Sequence, residues 1–183
     1  MIYKPDEDTF VLAKYVKKYA KGKVLDLGCG CGYLTKIALE NTKDVLAADI
    51  DEEAVDLCRR KGINAIKSDL FENIKAKFDL IVFNPPYLPK AKSDDDEYLV
   101  ITKESNNKNY DAIIGGENGY EVIERFLYDA KNYLKENGII LIVFSTLTGN
   151  VESLIKKYNY KFEILEEMPL FFERLKVLKL KLI

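Results

Sequence analysis

Histidine is absent from the 183 residues of this chain. A Ser-His-Asp triad, a Cys-His dyad and a His-ligated zinc are therefore excluded within it. Cysteine is scarce: Cys29, Cys31 and Cys58. Three thiols build no disulfide framework and read as reduced, which points to the cytoplasm. The C-x-C pair Cys29 and Cys31, with no His or further Cys nearby, is a poor metal site, so no metal is expected. Arginine is scarce too: of 28 basic residues only Arg59, Arg60, Arg125 and Arg174 are Arg. Neither sign of charge dominates, with 30 acids against those 28 bases. No global basic surplus exists to neutralise a phosphate backbone, which argues against nucleic acid as the main partner. No apolar run approaches the roughly 18 residues that would span a membrane. The opening Met1-Ile2-Tyr3-Lys4-Pro5-Asp6-Glu7-Asp8 does not read as a signal peptide.

What is present is ordinary for a globular chain: 48% hydrophobic and 32% charged residues. The length suits one domain, at roughly 100–200 residues each. The expectation is a single domain over 1–183, with a helical lead-in at about 1–21.

Strand-like and helix-like segments alternate. Glu7 to Ala20 carries apolar residues at helical spacing, and Lys23 to Leu27 is a short strand ending at glycines. Tyr33 to Asn41 reads as helix, Asp44 to Asp49 as strand, and Glu52 to Lys61 as helix stopped by Gly62. Ile63 to Lys67 and Phe78 to Phe83 read as strands, the second stopped by Pro85 and Pro86. Gly119 to Glu136 reads as a long amphipathic helix, Gly138 to Phe144 as strand, and Asn150 to Tyr158 as the last helix. Lys161 to Glu166 and Glu173 to Leu182 read as strands with no helix between them, so they should pair antiparallel. The pattern predicts an α/β fold, a Rossmann-like doubly wound sheet of seven strands. It should be mostly parallel, with one antiparallel strand near the C-terminus. Leu88 to Asn118 is long, polar and weakly patterned, which suits a functional loop.

Val24-Leu25-Asp26-Leu27-Gly28-Cys29-Gly30-Cys31-Gly32 carries a strand into a glycine-rich turn. Without side chains there, a ligand can approach the backbone. The spacing is G-x-G-x-G, not the G-x-G-x-x-G of dinucleotide folds. Asp26 stands two residues before Gly28, Asp49 ends the next strand, and Asp69 follows the third. A carboxylate at Asp49 suits the hydroxyls of a ribose. Asp69 could accept from an adenine amine. The loop supplies no Lys for phosphate, and Asp26 would attract a cation. Adenine, ribose and a positive centre together describe S-adenosylmethionine better than NAD. The opposing interpretation is that the three acids only cap helices.

Asn84-Pro85-Pro86-Tyr87 follows the fourth strand, at the end where such sheets bind ligands. The prolines stiffen the turn and leave the Pro85 carbonyl outside the ladder. The Asn84 side-chain oxygen and the Pro85 carbonyl can each accept one N–H of a planar NH2, and Tyr87 can stack on it. An amide or aryl amine nitrogen is a poor nucleophile. Two acceptors fix its orientation and favour the positive charge it develops during methylation. No strong base is needed if the proton leaves after transfer. The opposing interpretation is a proline-rich strand end.

With these residues in view, the sequence resembles class I S-adenosylmethionine-dependent methyltransferases with an N-P-P-Y motif. More closely it is similar to the archaeal and eukaryotic release-factor glutamine N5-methyltransferases, the HemK-like family. Tyr3-Lys4-Pro5-Asp6-Glu7-Asp8-Thr9-Phe10 resembles the family's Y-x-P-x-E-D-T-F segment. Gly115-Gly116-Glu117-Asn118-Gly119, followed by Val122, Arg125 and Phe126, matches its G-G-x-x-G stretch and following helix. The resemblance implies cofactor contacts from Thr9, Asp26, Gly28, Gly30, Asp49, Asp69 and Asn84. It implies catalysis by Asn84, Pro85 and Tyr87, with the target amide held by Asn84, Pro85, Pro86 and Tyr87. The family's substrate is the glutamine of a Gly-Gly-Gln loop in a class I release factor. Bacterial relatives carry an extra N-terminal helical domain, for which this chain has no room. The shorter type often works with a small zinc-binding activator on an edge strand, here Ile63 to Lys67.

N-P-P-Y alone does not choose among adenine N6, guanine N2 and a glutamine amide. Ser93-Asp94-Asp95-Asp96-Glu97 would repel phosphates and attract a basic protein surface, or is a solvated loop. Lys14, Lys17, Lys18 and Lys21 could form a local basic face. Release factor stands first, a nucleic-acid amine second and a protein lysine third. A non-catalytic S-adenosylmethionine-binding subunit and an NAD-linked oxidoreductase come after these.

Overall fold

The VLDL run Val24–Leu27 is buried at every position, as a strand covered on both faces must be. In the computed structural model, residues 3–90, 110–171 and 173–183 are described. In chain order they form α1 (Glu7–Tyr19), β1 (Val24–Leu27), α2 (Tyr33–Leu39), β2 (Val45–Asp49), α3 (Glu52–Arg60), β3 (Ala65–Lys67) and β4 (Phe78–Phe83). Then come β5 (Leu88–Pro89), α4 (Tyr110–Ile113), β6 (Ile114–Gly116), α5 (Glu121–Ala130), β7 (Leu134–Ser145), α6 (Val151–Lys157), β8 (Tyr160–Pro169) and β9 (Arg174–Leu182).

The main sheet has seven strands in the order β3-β2-β1-β4-β7-β9-β8. Neighbours from β3 to β7 pair in parallel, and β9 runs antiparallel to both β7 and β8. This is the expected doubly wound α/β sheet, with β9 threaded between β7 and β8. The strand order reverses between β1 and β4, so the crevice beyond their carboxyl ends is the place for a ligand.

One sheet face is covered by Val11, Leu12 and Val16 of α1 with Leu34 and Ala38 of α2. The other is covered by Ile123, Phe126, Leu127 and Ala130 of α5 and by Val151 and Ile155 of α6. Asp6 caps α1 by accepting from the Glu7 N–H, and Asp51 caps α3 by accepting from the Glu53 N–H.

Three expectations need adjustment. The helix expected over Gly119 to Glu136 stops at Ala130. Leu134 continues its apolar spacing, yet Leu134 pairs with Phe78, and the Tyr133 carbonyl accepts the Phe78 N–H at 2.8 Å. The sheet therefore captures the chain where periodicity alone would extend the helix. The strand expected over Lys161 to Glu166 runs on to Pro169, held by pairing with β9. The stretch Leu88 to Asn118 holds a second small sheet, where β5 pairs in parallel with β6. The acidic run Ser93 to Glu97 lies outside the described residues. No helix among the described residues is long and apolar enough to cross a membrane.

Candidate active site

Gly28, Gly30 and Gly32 all take positive φ, at 67°, 49° and 79°. That conformation disfavours any side chain, and at Gly32 a Cβ would also come within 2.8 Å of Ile63 and 3.0 Å of the Cys58 sulfur. The turn bends the chain from β1 into α2 and leaves its backbone bare. A cavity of about 500 Å³ opens above it, at the ends of β1, β2 and β4. Its wall includes Thr9, Gly28, Gly30, Asp49, Ile50, Asp69, Arg125 and the whole of Asn84 to Tyr87.

The three strand-end acids fare differently. Asp49 lines the cavity, accepting from the Gly30 N–H at 2.8 Å and from the Asp51 N–H at 3.0 Å. Each of its oxygens keeps further acceptor capacity. Burial raises its pKa above the ordinary carboxylate range against the pull of those two N–H groups. Asp69 lines the cavity as well, but one of its oxygens is 2.9 Å from the Arg125 guanidinium, a partner the sequence reading did not assign. Asp26 lies beneath the loop and is not part of the cavity wall; it is 1% exposed. One Asp26 oxygen accepts from the Thr35 hydroxyl on α2, and the other has no partner among the described residues. Burial pushes the Asp26 carboxyl up to about 7, and the nearby Asp49 charge adds to it.

Asn84 to Tyr87 leave the sheet where β4 ends. The Asn84 Nδ2 donates to the Thr9 hydroxyl oxygen at 3.2 Å, while its Oδ1 has no partner among the described residues. Tyr87 donates its hydroxyl to Asp8 at 3.2 Å. Burial, then the Asp8 charge, raises the pKa of the Tyr87 phenol, and Tyr3 is raised for the same two reasons. The G-G-x-x-G stretch lies directly against this segment. The Tyr87 N–H donates to the Ile113 carbonyl and the Lys90 N–H to the Gly116 carbonyl. Any Cβ on Gly115 would meet the Pro86 carbonyl at 2.6 Å, and any on Gly119 the Tyr87 carbonyl at 2.5 Å. These glycines exist for close backbone approach.

The structure thus brings Thr9, Gly28, Gly30, Asp49, Asp69, Asn84, Pro85, Pro86 and Tyr87 to one cavity and sets Asp26 behind it. Ile50, Leu70 and Tyr33 also line the cavity and were not assigned beforehand. Asp8 was not assigned either, although its spacing from Val11, Leu12, Tyr15 and Val16 puts a carboxylate on the apolar stripe of α1. Among the described residues no group of three His, Cys, Asp or Glu could hold a metal. Cys29 and Cys58 are buried, with their sulfurs 3.7 Å apart.

Glycine turn, strand-end acid and a buried asparagine oxygen with no partner among the described residues, at a switch point of the sheet, define an S-adenosylmethionine-dependent methyltransferase. The profile of the methyltransferase small domain family matches residues 3–108, and the chain belongs to that family. A Methanocaldococcus jannaschii protein, to which protein N5-glutamine methyltransferase activity is ascribed, is 36% identical over 187 residues, covering 97% of this chain and 90% of its own. The release factor glutamine methyltransferase of Streptococcus pneumoniae is 35% identical over 144 residues. That match covers 74% of this chain and only 50% of the bacterial enzyme. Among solved structures, the E. cuniculi Mtq2-Trm112 complex, described as methylating the eRF1 termination factor, superposes with a TM-score of 0.76. It is 26% identical, over 99% of this chain and 98% of the matched one.

Proposed function

We propose that the chain transfers a methyl group from S-adenosylmethionine to the side-chain amide nitrogen of a glutamine. The target is the Gly-Gly-Gln glutamine of a class I peptide chain release factor. The observation that carries this reading is Asn84: its Nδ2 is engaged by Thr9, and its buried oxygen has no partner among the described residues, at the end of a strand. An acceptor in that place fits an NH2 donor, not a carbonyl or a phosphate.

The residues present fit the cofactor. Asp49 would accept from the ribose hydroxyls, with Ile50, Leu70 and Val122 flanking the base, and Asp69 would accept from the adenine amine through its oxygen away from Arg125. Gly28 and Gly30 would let the amino-acid end approach the backbone, with Thr9 close by. Asp26 would act from behind the loop, as a negative charge under a cationic ligand. S-adenosylmethionine supplies an electrophilic methyl group when bound.

The chain's own residues handle the nitrogen. The Asn84 Oδ1 and the Pro85 carbonyl each accept one amide N–H, which fixes the NH2 plane. Tyr87 stacks on that plane. As the nitrogen gains positive charge, both acceptors bind it more strongly than in the ground state, which lowers the barrier. The proton is then acidic enough to leave to water, so the absence of His is no obstacle.

The names of the relatives support release factor as the substrate. The surface supports it too, since two of the clustered lysines are engaged: Lys14 with Glu166 at 2.8 Å and Lys17 with Glu40 at 3.0 Å. A zinc-binding activator would pair with β3, which bonds only to β2 among the described residues. The Trm112 partner in the E. cuniculi complex supports such a subunit.

The test is methyl transfer from labelled S-adenosylmethionine. Acceptors are an intact release factor, its Gly-Gly-Gln glutamine variant, duplex DNA and bulk RNA, each with and without a zinc-binding activator. Label on the release factor, lost in the glutamine variant and abolished by Asn84→Ala, is the expected result. Label on nucleic acid alone would replace this reading with an exocyclic base amine as the target.

A further inference from the structure

In the wall of the cavity lies a mostly buried carboxylate that no step above uses. Asp8 is 6% exposed, in the first turn of α1. Four donors converge on it. The Tyr3 hydroxyl lies 2.9 and 3.0 Å from its two oxygens, and the Tyr87 hydroxyl 3.2 Å from Oδ2. The Thr9 N–H and the Thr9 hydroxyl both donate to Oδ1, the hydroxyl at 3.1 Å. An ionised carboxylate is the one side chain that only accepts, and every contact here uses Asp8 that way.

That fixes the polarity of the next bond. A threonine hydroxyl has one hydrogen, and Asp8 takes it. The Thr9 oxygen can then only accept from Asn84, so the Asn84 amide must turn its NH2 toward Thr9 and its oxygen away. Without Asp8 the Thr9 hydrogen is free to donate to the Asn84 oxygen, and the amide can rotate to offer NH2 where an acceptor is needed. The second Asp8 oxygen anchors the Tyr87 ring through its hydroxyl.

We propose that Asp8 is a positioning residue for methyl transfer: through the Thr9 hydroxyl it sets which end of the Asn84 amide meets the substrate NH2, and it holds Tyr87 beside it. This rests on the reading of Asn84 as the acceptor of a planar NH2.

The test compares wild type, Asp8→Asn, Thr9→Val and the double variant. Two readouts are used: steady-state methylation of release factor, and the side-chain NH2 resonance of Asn84 in 15N-labelled protein. That resonance is identified by its loss in Asn84→Ala. Asp8→Asn keeps the shape but brings a donor. It is expected to lower kcat about 100-fold, the scale of a misplaced catalytic group. Cofactor affinity should stay within about threefold, and the Asn84 resonance should move. Thr9→Val is expected to move the same resonance, and the double variant to lose no more turnover than the worse single one. A wild-type kcat in Asp8→Asn overturns the proposal. So does an unmoved Asn84 resonance in the folded variant. A parallel loss of melting temperature, cofactor affinity and kcat also overturns it, because that marks a merely structural carboxylate. If Asp8→Asn does not fold, Thr9→Val decides by the same resonance and kcat. Wild-type protein that leaves release factor unlabelled sinks the substrate reading, and the Asn84 resonance still decides the role of Asp8.

Discussion

Gly115→Ala adds one methyl group where the backbone leaves no room for it. A Cβ on Gly115 would lie 2.1 Å from the Gly119 carbonyl oxygen and 2.6 Å from the Pro86 carbonyl oxygen. Ordinary contact begins near 3.4 Å, so the Pro86 carbonyl must retreat by about 0.8 Å and the Gly119 carbonyl by more. Both are backbone atoms, in segments flanking the β5–β6 pairing, and cannot swing aside as a side chain would. The shift therefore passes into Asn84 to Tyr87. Overpacking of this kind costs roughly 1–3 kcal/mol of stability. A displacement near 1 Å at reacting groups costs about 100-fold in rate. The expected result is a kcat about 100-fold down, with a melting temperature lower by roughly 2–12 °C, at about 2–4 °C per kcal/mol. Gly62→Ala is the control. Gly62 also has positive φ, at 77°, but nothing lies within 4 Å of its Cβ position. It should lose roughly 1–2 kcal/mol through backbone strain and no turnover. Steady-state methylation and thermal melts of both variants check this. Gly115→Ala with near wild-type kcat, or equal losses of kcat in both, would refute the idea that G-G-x-x-G sets the position of N-P-P-Y.

Asp49→Ala should weaken S-adenosylmethionine binding by about 1–3 kcal/mol, the cost of unpaired hydrogen-bonding groups, as read by calorimetry. An unchanged affinity would remove Asp49 from the ribose site. Asp26 carries a pH signature. Its folded pKa is raised to about 7, so between the ordinary carboxylate value and pH 7 the folded state holds a proton that the unfolded state has lost. Its contribution therefore favours folding most at low pH, declines as pH rises through that window, and is flat above pH 7, a change on the order of 4 kcal/mol. Denaturant titrations from pH 4.5 to 8 should show Asp26→Asn gaining on wild type as pH rises; parallel profiles would contradict the assignment. The Arg125–Asp69 pair is half-exposed, with Arg125 at 57%, so Arg125→Ala should cost under about 1 kcal/mol of stability. A chemical melt showing a larger loss would mean that Arg125 contributes through packing.

The sheet was readable from the sequence because its signals are local. Leu80 to Phe83 is continuously apolar, and Leu175 to Leu182 alternates but for the Val177-Leu178 pair, so strand positions and the late antiparallel strand followed from residue order. The helix expected to reach Glu136 was misjudged because Leu134 obeys helical spacing while pairing with Phe78, a partner 56 positions away. Periodicity reports a buried face, not which element presents it. The same limit applies at the site. Asn84 to Tyr87 and the glycine turn are contiguous, so their chemistry could be read in place. Asp69 looked like a free acceptor because Arg125, its partner, lies on α5, 56 positions further along the chain. Asp26 looked like a cavity residue because it adjoins Gly28 in sequence, yet alternation along β1 points it toward α2.

The site's division of labour follows from what it lacks. With no His, the chain has no group of ordinary neutral pKa to take a proton from a substrate, so catalysis has to come from orientation and from acceptors fixed before the substrate arrives. An amide is a risky choice of acceptor, because a half-turn of its side chain exchanges oxygen for NH2 at almost no steric cost. Some other group must make the two ends inequivalent. Here the information travels from the Asp8 carboxylate through the Thr9 hydroxyl to Asn84, across 75 residues of sequence. If Asn84 acts as proposed, the first turn of α1 belongs to the catalytic apparatus, joined to the segment after β4 by hydrogen bonds with only one satisfactory direction, and is not a lead-in that merely covers the sheet.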